Sequence, residues 1–158
     1  MDPFARWLEA LEARHLAELR PAEIARGVRA LSSLYVERRQ RLARGAVLAG
    51  RAKRAAFALF YAPLHFLAVR LVVRALAAAP PVRTVVDLGC GTGAAGAAWA
   101  LELAPRPRLL GIDRHPWAVA ETRWTYRTLN LRGRSVCVRL ENARWPDRDA
   151  GLVAAFTL

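Results

Sequence analysis

The stretch that most limits how this chain can fold is VRTVVDLGCGTGAAGAAWA, residues 82–100. A β-branched run, Val85-Val86, leads through Asp87 and Leu88 to glycines at 89, 91, 93 and 96, then to a run of small helix formers. Glycine enters backbone conformations that other residues avoid, so this alternation predicts a tight turn from strand to helix. Exposed N–H groups at such a turn, with a helix N-terminus behind them, predict a nucleotide-like ligand. Two patterns overlap here. Gly91–Gly96 fits G-x-G-x-x-G, the dinucleotide fingerprint, whereas Asp87–Gly93 puts a carboxylate before three alternating glycines.

The two patterns differ in the charge they welcome. A dinucleotide sets its pyrophosphate on the turn, where the Asp87 carboxylate repels it. A ligand with an ammonium and a sulfonium and no phosphate has the opposite need. S-adenosylmethionine (SAM) is such a ligand, and Asp87 favours it. Asp113, in RLLGID, falls at the predicted end of a second strand. A carboxylate there can accept both ribose hydroxyls of either ligand; the plainer reading is a helix N-cap.

The rest of the chain fits around this unit. Residues 1–79 read as a basic helical region. Asp2-Pro3 is a start signal, and Phe4, Trp7/Leu8, Leu11, His15/Leu16 and Leu19 form one stripe. Pro21 closes that helix and opens the next, whose weak points are Gly27, Gly45 and Gly50. The most apolar run, residues 55–79, contains Pro63, His65, Arg70 and Arg74. It reads as a kinked helix packed on the next domain, not as a transmembrane segment. Residues 80–158 alternate strand and helix, which predicts a parallel α/β sheet of about four strands. The strands are RTVVDLG, RLLGID, SVCVRL and AGLVAAFTL, and the helix after strand two is expected to stop at Gly133.

On Asp87, Gly89, Gly91, Gly93 and Asp113 the chain resembles the class I, Rossmann-like SAM-dependent methyltransferases over roughly residues 80–158. The resemblance implies that Asp87, Gly89, Cys90, Gly91 and Gly93 line the methionine end of the cofactor and that Asp113 holds the ribose. It implies that Glu141 and Asn142, after strand three, border the adenine. Arg114 stands beside Asp113 with an open role. The implied sheet has three strands beyond those seen here, so residues 80–158 are expected to be a half-domain truncated after strand four. No catalytic residue is assigned, and the chain alone is expected to be inactive. The basic helical start and FYAPLHF are also similar to the ribosomal small-subunit-associated methyltransferase-like family.

Charge supplies a second clue. Twenty-five Lys+Arg against 13 Asp+Glu give +12, which favours polyanionic partners. Arg38, Arg39, Arg41, Arg44, Arg51, Lys53 and Arg54 form a run with no acid, suited to the phosphates of RNA or a ribosome. A solvated helix face is the bland alternative. Cys90 and Cys137 lack metal-ligand spacing, no secretory signal opens the chain, and a cytoplasmic setting is expected. His15, His65 and His115 lack ligand spacing too. Trp99, Trp117 and Trp124 read as packing, with Trp117 the best placed for an adenine contact. The leading reading is a SAM-dependent methyltransferase, perhaps acting on RNA. The others are a non-catalytic RNA- or ribosome-binding protein and, less favoured, an NAD-type oxidoreductase. Strand four, uncharged and without proline, is expected to be an edge that associates with another copy or a partner.

Overall fold

The structure is a computed structural model that describes residues 2–17, 19–37, 48–76, 82–146 and 148–157. It divides into two compact units, Met1–Pro63 and Leu64–Leu158. The change of composition near Pro80 suggested a later boundary; the contacts instead group the apolar helix of residues 64–75 with the sheet.

In the first unit, α1 (Pro3–Leu16) starts with proline in its first turn, but Asp2 makes no side-chain cap. Trp7 and Leu11 are buried, while Leu16, expected on the same stripe, is largely exposed. α2 (Pro21–Glu37) opens at the second proline, and the Arg20 N–H donates to Glu23 Oε2 at 2.9 Å, one half of a capping box. Gly27 is no weak point. A Cβ there would strike the Ala52 carbonyl, so glycine lets α2 approach α3 (Arg51–Ala56) closely. Gly50, with φ 87°, stands immediately before α3, and Gly45 lies outside the described residues. A π-helical turn, Phe57–Tyr61, then precedes Pro63, and the Ala62 N–H donates to the Phe57 carbonyl five residues back. This widened turn accommodates a proline that cannot donate inside a helix.

The second unit holds α4 (Ala62–Ala75), less its first two residues, and a four-stranded parallel sheet. Its strands are β1 (Thr84–Leu88), β2 (Arg108–Asp113), β3 (Gly133–Cys137) and β4 (Ala150–Val153), in the order β3-β2-β1-β4. α5 (Ala94–Leu101) follows β1 and α6 (Pro116–Thr128) follows β2. This is the parallel α/β arrangement expected from the strand–helix alternation. β1 is central because Val85, Val86 and Asp87 are all buried. Val86, Leu110 and Ile112 form a core on one face of the sheet, with Leu88, Val136 and Trp145 against it. Arg70 and Arg74 of α4 hold Glu102, just past α5, at 2.7 and 2.8 Å.

Three boundaries differ from expectation. β3 begins at Gly133, two residues before the predicted run, and Asn130 (φ 53°) rather than Gly133 takes the left-handed position after α6. Asparagine tolerates that conformation through its short polar side chain. Gly133 answers a packing need, because a Cβ there would lie 2.7 Å from Leu109 Cβ and Tyr126 Cδ2. β4 stops at Val153, and the chain turns at Phe156 with φ 58°.

Among the described residues, the helical run Arg51–Ala75 is long and apolar enough to cross a membrane by length and composition. Buried core helices pass the same test, and Ala62, Phe66 and Val69 of this run are buried.

Candidate functional site

The site is built at the C-terminal ends of β1 and β2. Gly89, Gly91 and Gly93 have φ of 67°, 55° and 77°, so the alternation in sequence becomes three left-handed residues in one turn. The turn is tied down from several sides. The Cys90 N–H donates to the Ile112 carbonyl at 3.0 Å, and the Gly93 N–H to the Cys90 carbonyl at 2.7 Å. Gly91 is held at both ends of its residue. Its N–H donates to Asp113 Oδ2 at 3.0 Å, and its carbonyl accepts from the Thr122 hydroxyl at 3.0 Å.

Asp113 therefore has two roles. Oδ2 orders the glycine turn while Oδ1 accepts the His115 N–H at 2.8 Å. The helix cap itself is His115, whose Nδ1 accepts the Trp117 N–H at 3.2 Å. The capping alternative for Asp113 is thus partly realised, at one remove. A carboxylate offers about four lone-pair positions, so two backbone bonds leave room for ribose hydroxyls. The side chain is only half-buried, which keeps it within a ligand's reach.

Asp87, expected to line the site, is buried behind it. It is 1% exposed and its Oδ2 accepts the Gly96 N–H at 2.8 Å. Burial pushes its pKa up to about 7; the Gly96 N–H opposes that shift and the charge of Asp113 adds to it. Burial also raises the Cys90 thiol well above its ordinary range, so Cys90 is a neutral packing residue in the turn.

The support beneath the turn is Tyr126 of α6. A Cβ at Gly93 would lie 2.9 Å from the tyrosine ring, and Cβ atoms at Gly96 or Gly111 would each lie 3.2 Å from its hydroxyl. The phenol is fully buried, makes no hydrogen bond, and has its pKa pushed well up by burial. Thr122 and Tyr126, one helical turn apart, were not singled out from sequence. The signal was Gly111, an isolated glycine inside a strand, which marks a close approach. Thr157 was also missed: its hydroxyl donates to the Leu88 carbonyl at 3.0 Å, and its side chain fills the space a Cβ at Gly89 would need.

The remaining expected residues are more dispersed. Arg114 is exposed, and its carbonyl accepts a weak bond from Cys137 Sγ at 3.5 Å. Glu141 and Asn142 lie in an exposed 3-10 turn, Leu140–Asn142, just past the C-terminal end of β3. Of the basic run, Arg51, Lys53 and Arg54 start α3, and Arg54 Nε donates to the Leu48 carbonyl at 2.9 Å. Arg38, Arg39, Arg41 and Arg44 lie outside the described residues.

A turn of left-handed glycines between a buried and a half-buried carboxylate, at the C-terminal ends of parallel strands, is the arrangement of a Rossmann-like domain. Residues 67–150, more than half of the chain, match the methyltransferase small domain family, and the chain belongs to it. No curated protein matches the sequence. Among solved structures it is similar to the S-adenosylmethionine-dependent methyltransferase SibL in its apo form, at 22% identity over 99% of this chain and 46% of that one, TM-score 0.48. It is similar to the plantazolicin methyltransferase BpumL with a monoazolic desmethylPZN analog and SAH, at 16% identity over 87% and 47%, TM-score 0.44. A third is the O-methyltransferase from Bacillus cereus with SAH, at 12% identity over 93% and 63%, TM-score 0.42. The chain spans about half the length of the first two.

Proposed function

We propose that the protein is a SAM-dependent methyltransferase whose cofactor site is the glycine turn with Asp113. The observation that carries this reading is the pair of carboxylates, Asp87 and Asp113, set around the glycine turn. Such a site suits a cationic nucleoside and resists a pyrophosphate. Asp113 accepts the ribose hydroxyls while keeping the Gly91 N–H in place. Asp87 acts from behind the turn through its bond to Gly96, and a cation at the methionine end favours its ionised form. The cofactor, when bound, supplies an electrophilic methyl group; the chain's residues bind and orient it. Calorimetry tests the reading: SAM and its demethylated product should bind and NAD should not. NAD binding without SAM binding overturns it.

The acceptor in this reading is RNA, in a cytoplasmic setting where Cys90 and Cys137 stay free thiols. The support is the excess of base over acid and the run from Arg38 to Arg54. Replacing Arg38, Arg39, Arg41 and Arg44 with Gln should flatten the slope of log affinity against log salt by up to about four phosphate equivalents. An unaltered slope removes these arginines from the interface.

A further inference from the structure

The parallel strands present opposite chemistry at their two ends. The C-terminal ends of β1 and β2 carry the glycine turn with Asp87 and Asp113. The N-terminal ends of β2 and β3, with the segments that lead into them, carry five arginines: Arg106 and Arg108 at β2, Arg127 in the last turn of α6, and Arg132 and Arg134 at β3. All five are exposed. The backbone brings them together. Leu109 pairs with Gly133 and its N–H donates to the Arg132 carbonyl at 2.8 Å. Arg108 and Arg132 thus precede paired positions on strands about 4.8 Å apart. The Asn130 N–H donates to the Arg127 carbonyl at 3.0 Å and the Leu131 N–H to the Tyr126 carbonyl at 2.8 Å, which turns the end of α6 directly into β3.

No acid balances this cluster. Residues 103–112 and 122–140 contain no carboxylate, and among the described residues none of the five arginines forms an ion pair. The neighbouring acids are engaged elsewhere: Arg70 and Arg74 hold Glu102, and Arg83 meets Asp149 at 3.5 Å. An arginine without a carboxylate keeps its planar fork of donors for a phosphate. A lipid surface is gripped by apolar side chains set among the charges. Among the described residues, no large apolar side chain is exposed between residues 102 and 134.

We infer that this arginine end of the sheet is a docking surface for RNA, which holds phosphates at the opposite end of the strands from the cofactor site. The inference rests on RNA as the acceptor in the reading above and adds a contact separate from the run Arg38–Arg54. Arg108 and Asp113 open and close the six residues of β2, about 17 Å apart. The phosphates held here therefore belong to a part of the RNA other than the nucleotide that meets the cofactor, and a folded RNA is the partner that reaches both ends. Phosphate contacts set position and carry no sequence information, so the surface orients the RNA without reading its bases.

Fluorescence anisotropy with a labelled RNA hairpin, followed from about 0.05 M to about 0.3 M salt, tests this. Arg108→Gln with Arg132→Gln should weaken binding at least about tenfold at the lower salt and reduce the slope of log affinity against log salt by about 1.5. Arg6→Gln with Arg26→Gln takes the same charge from α1 and α2 and should change the slope by less than half as much. Equal reductions from the two pairs would trace the affinity to net charge and overturn the inference, as would an unaltered slope for the first pair. Arg106→Gln with Arg127→Gln, outside the strands, should reproduce the reduction and serves if the strand variant does not fold. Vesicles of anionic lipid are the competing probe: if the first pair abolishes their binding and spares RNA, the surface is a membrane one and the inference falls. SAM binding, measured separately by calorimetry, should be the same in parent and variants, so the cofactor reading stands or falls apart from this one. A slope that responds only to replacement of Arg38, Arg39, Arg41 and Arg44 keeps RNA as the partner and overturns the docking surface.

Discussion

The two sides of the sheet are built on opposite plans. At the β1–β2 side, Asp87, Thr122 and Asp113 all bind the backbone of the glycine turn or of the helix behind it, and the glycines leave no spare space. At the β4 side, apolar residues of α4 and of residues 152–156 line a groove, and Gly151 is set hard against the Trp99 ring. The first plan fixes backbone N–H groups in space, as ligand binding requires. The second presents large apolar side chains, Leu152 and Phe156 among them, at the surface of the described residues. A chain can hold both because β1, buried on both faces, separates them.

The contrast breaks most directly at Gly93. Gly93→Val adds left-handed strain and a clash with Thr122 and Tyr126, so stability to urea should fall by about 3 kcal/mol or more. A variant as stable as the parent would mean that the turn is soft.

Next comes Asp87. Its unfolded pKa is about 3.9 and its folded value about 7, so the folded protein holds the proton more tightly. The resulting stability is complete below about pH 4 and is lost as pH rises through about 7, by at most about 1.4 kcal/mol per pH unit. Asp87→Asn should flatten that decline in thermal melts taken from pH 5 to pH 8, and an unchanged profile would show the carboxylate to be hydrated.

Asp113→Ala removes a charge-assisted pair of hydrogen bonds, so SAM affinity measured by calorimetry should fall by about 1.5–3 kcal/mol. It also releases the Gly91 and His115 N–H groups, so stability should drop by about 1 kcal/mol. Unchanged affinity removes Asp113 from the site. The smallest effect belongs to the other side of the sheet. Leu152→Lys, at a half-exposed edge position, should alter monomer stability by no more than about 0.5 kcal/mol. A larger loss would mean that Leu152 is part of the core and that the two sides are not built differently after all.

Much of this was legible in the residues alone. Strand–helix alternation from Thr84 onward dictated a parallel sheet, because period and turn chemistry are local and right-handed crossovers leave few topologies. Asp87, the three glycines and Asp113 marked the site for the same reason: backbone conformation and charge are properties of short segments. Tertiary structure decided what those residues touch. It buried Asp87 behind the turn, gave Asp113 two backbone partners, and set Thr122 and Tyr126 under glycines distant in sequence. It also grouped α4 with the sheet and opened a groove beside β4. Burial and hydrogen-bond partnership depend on which segments meet in space, and no local pattern in a single chain carries that information.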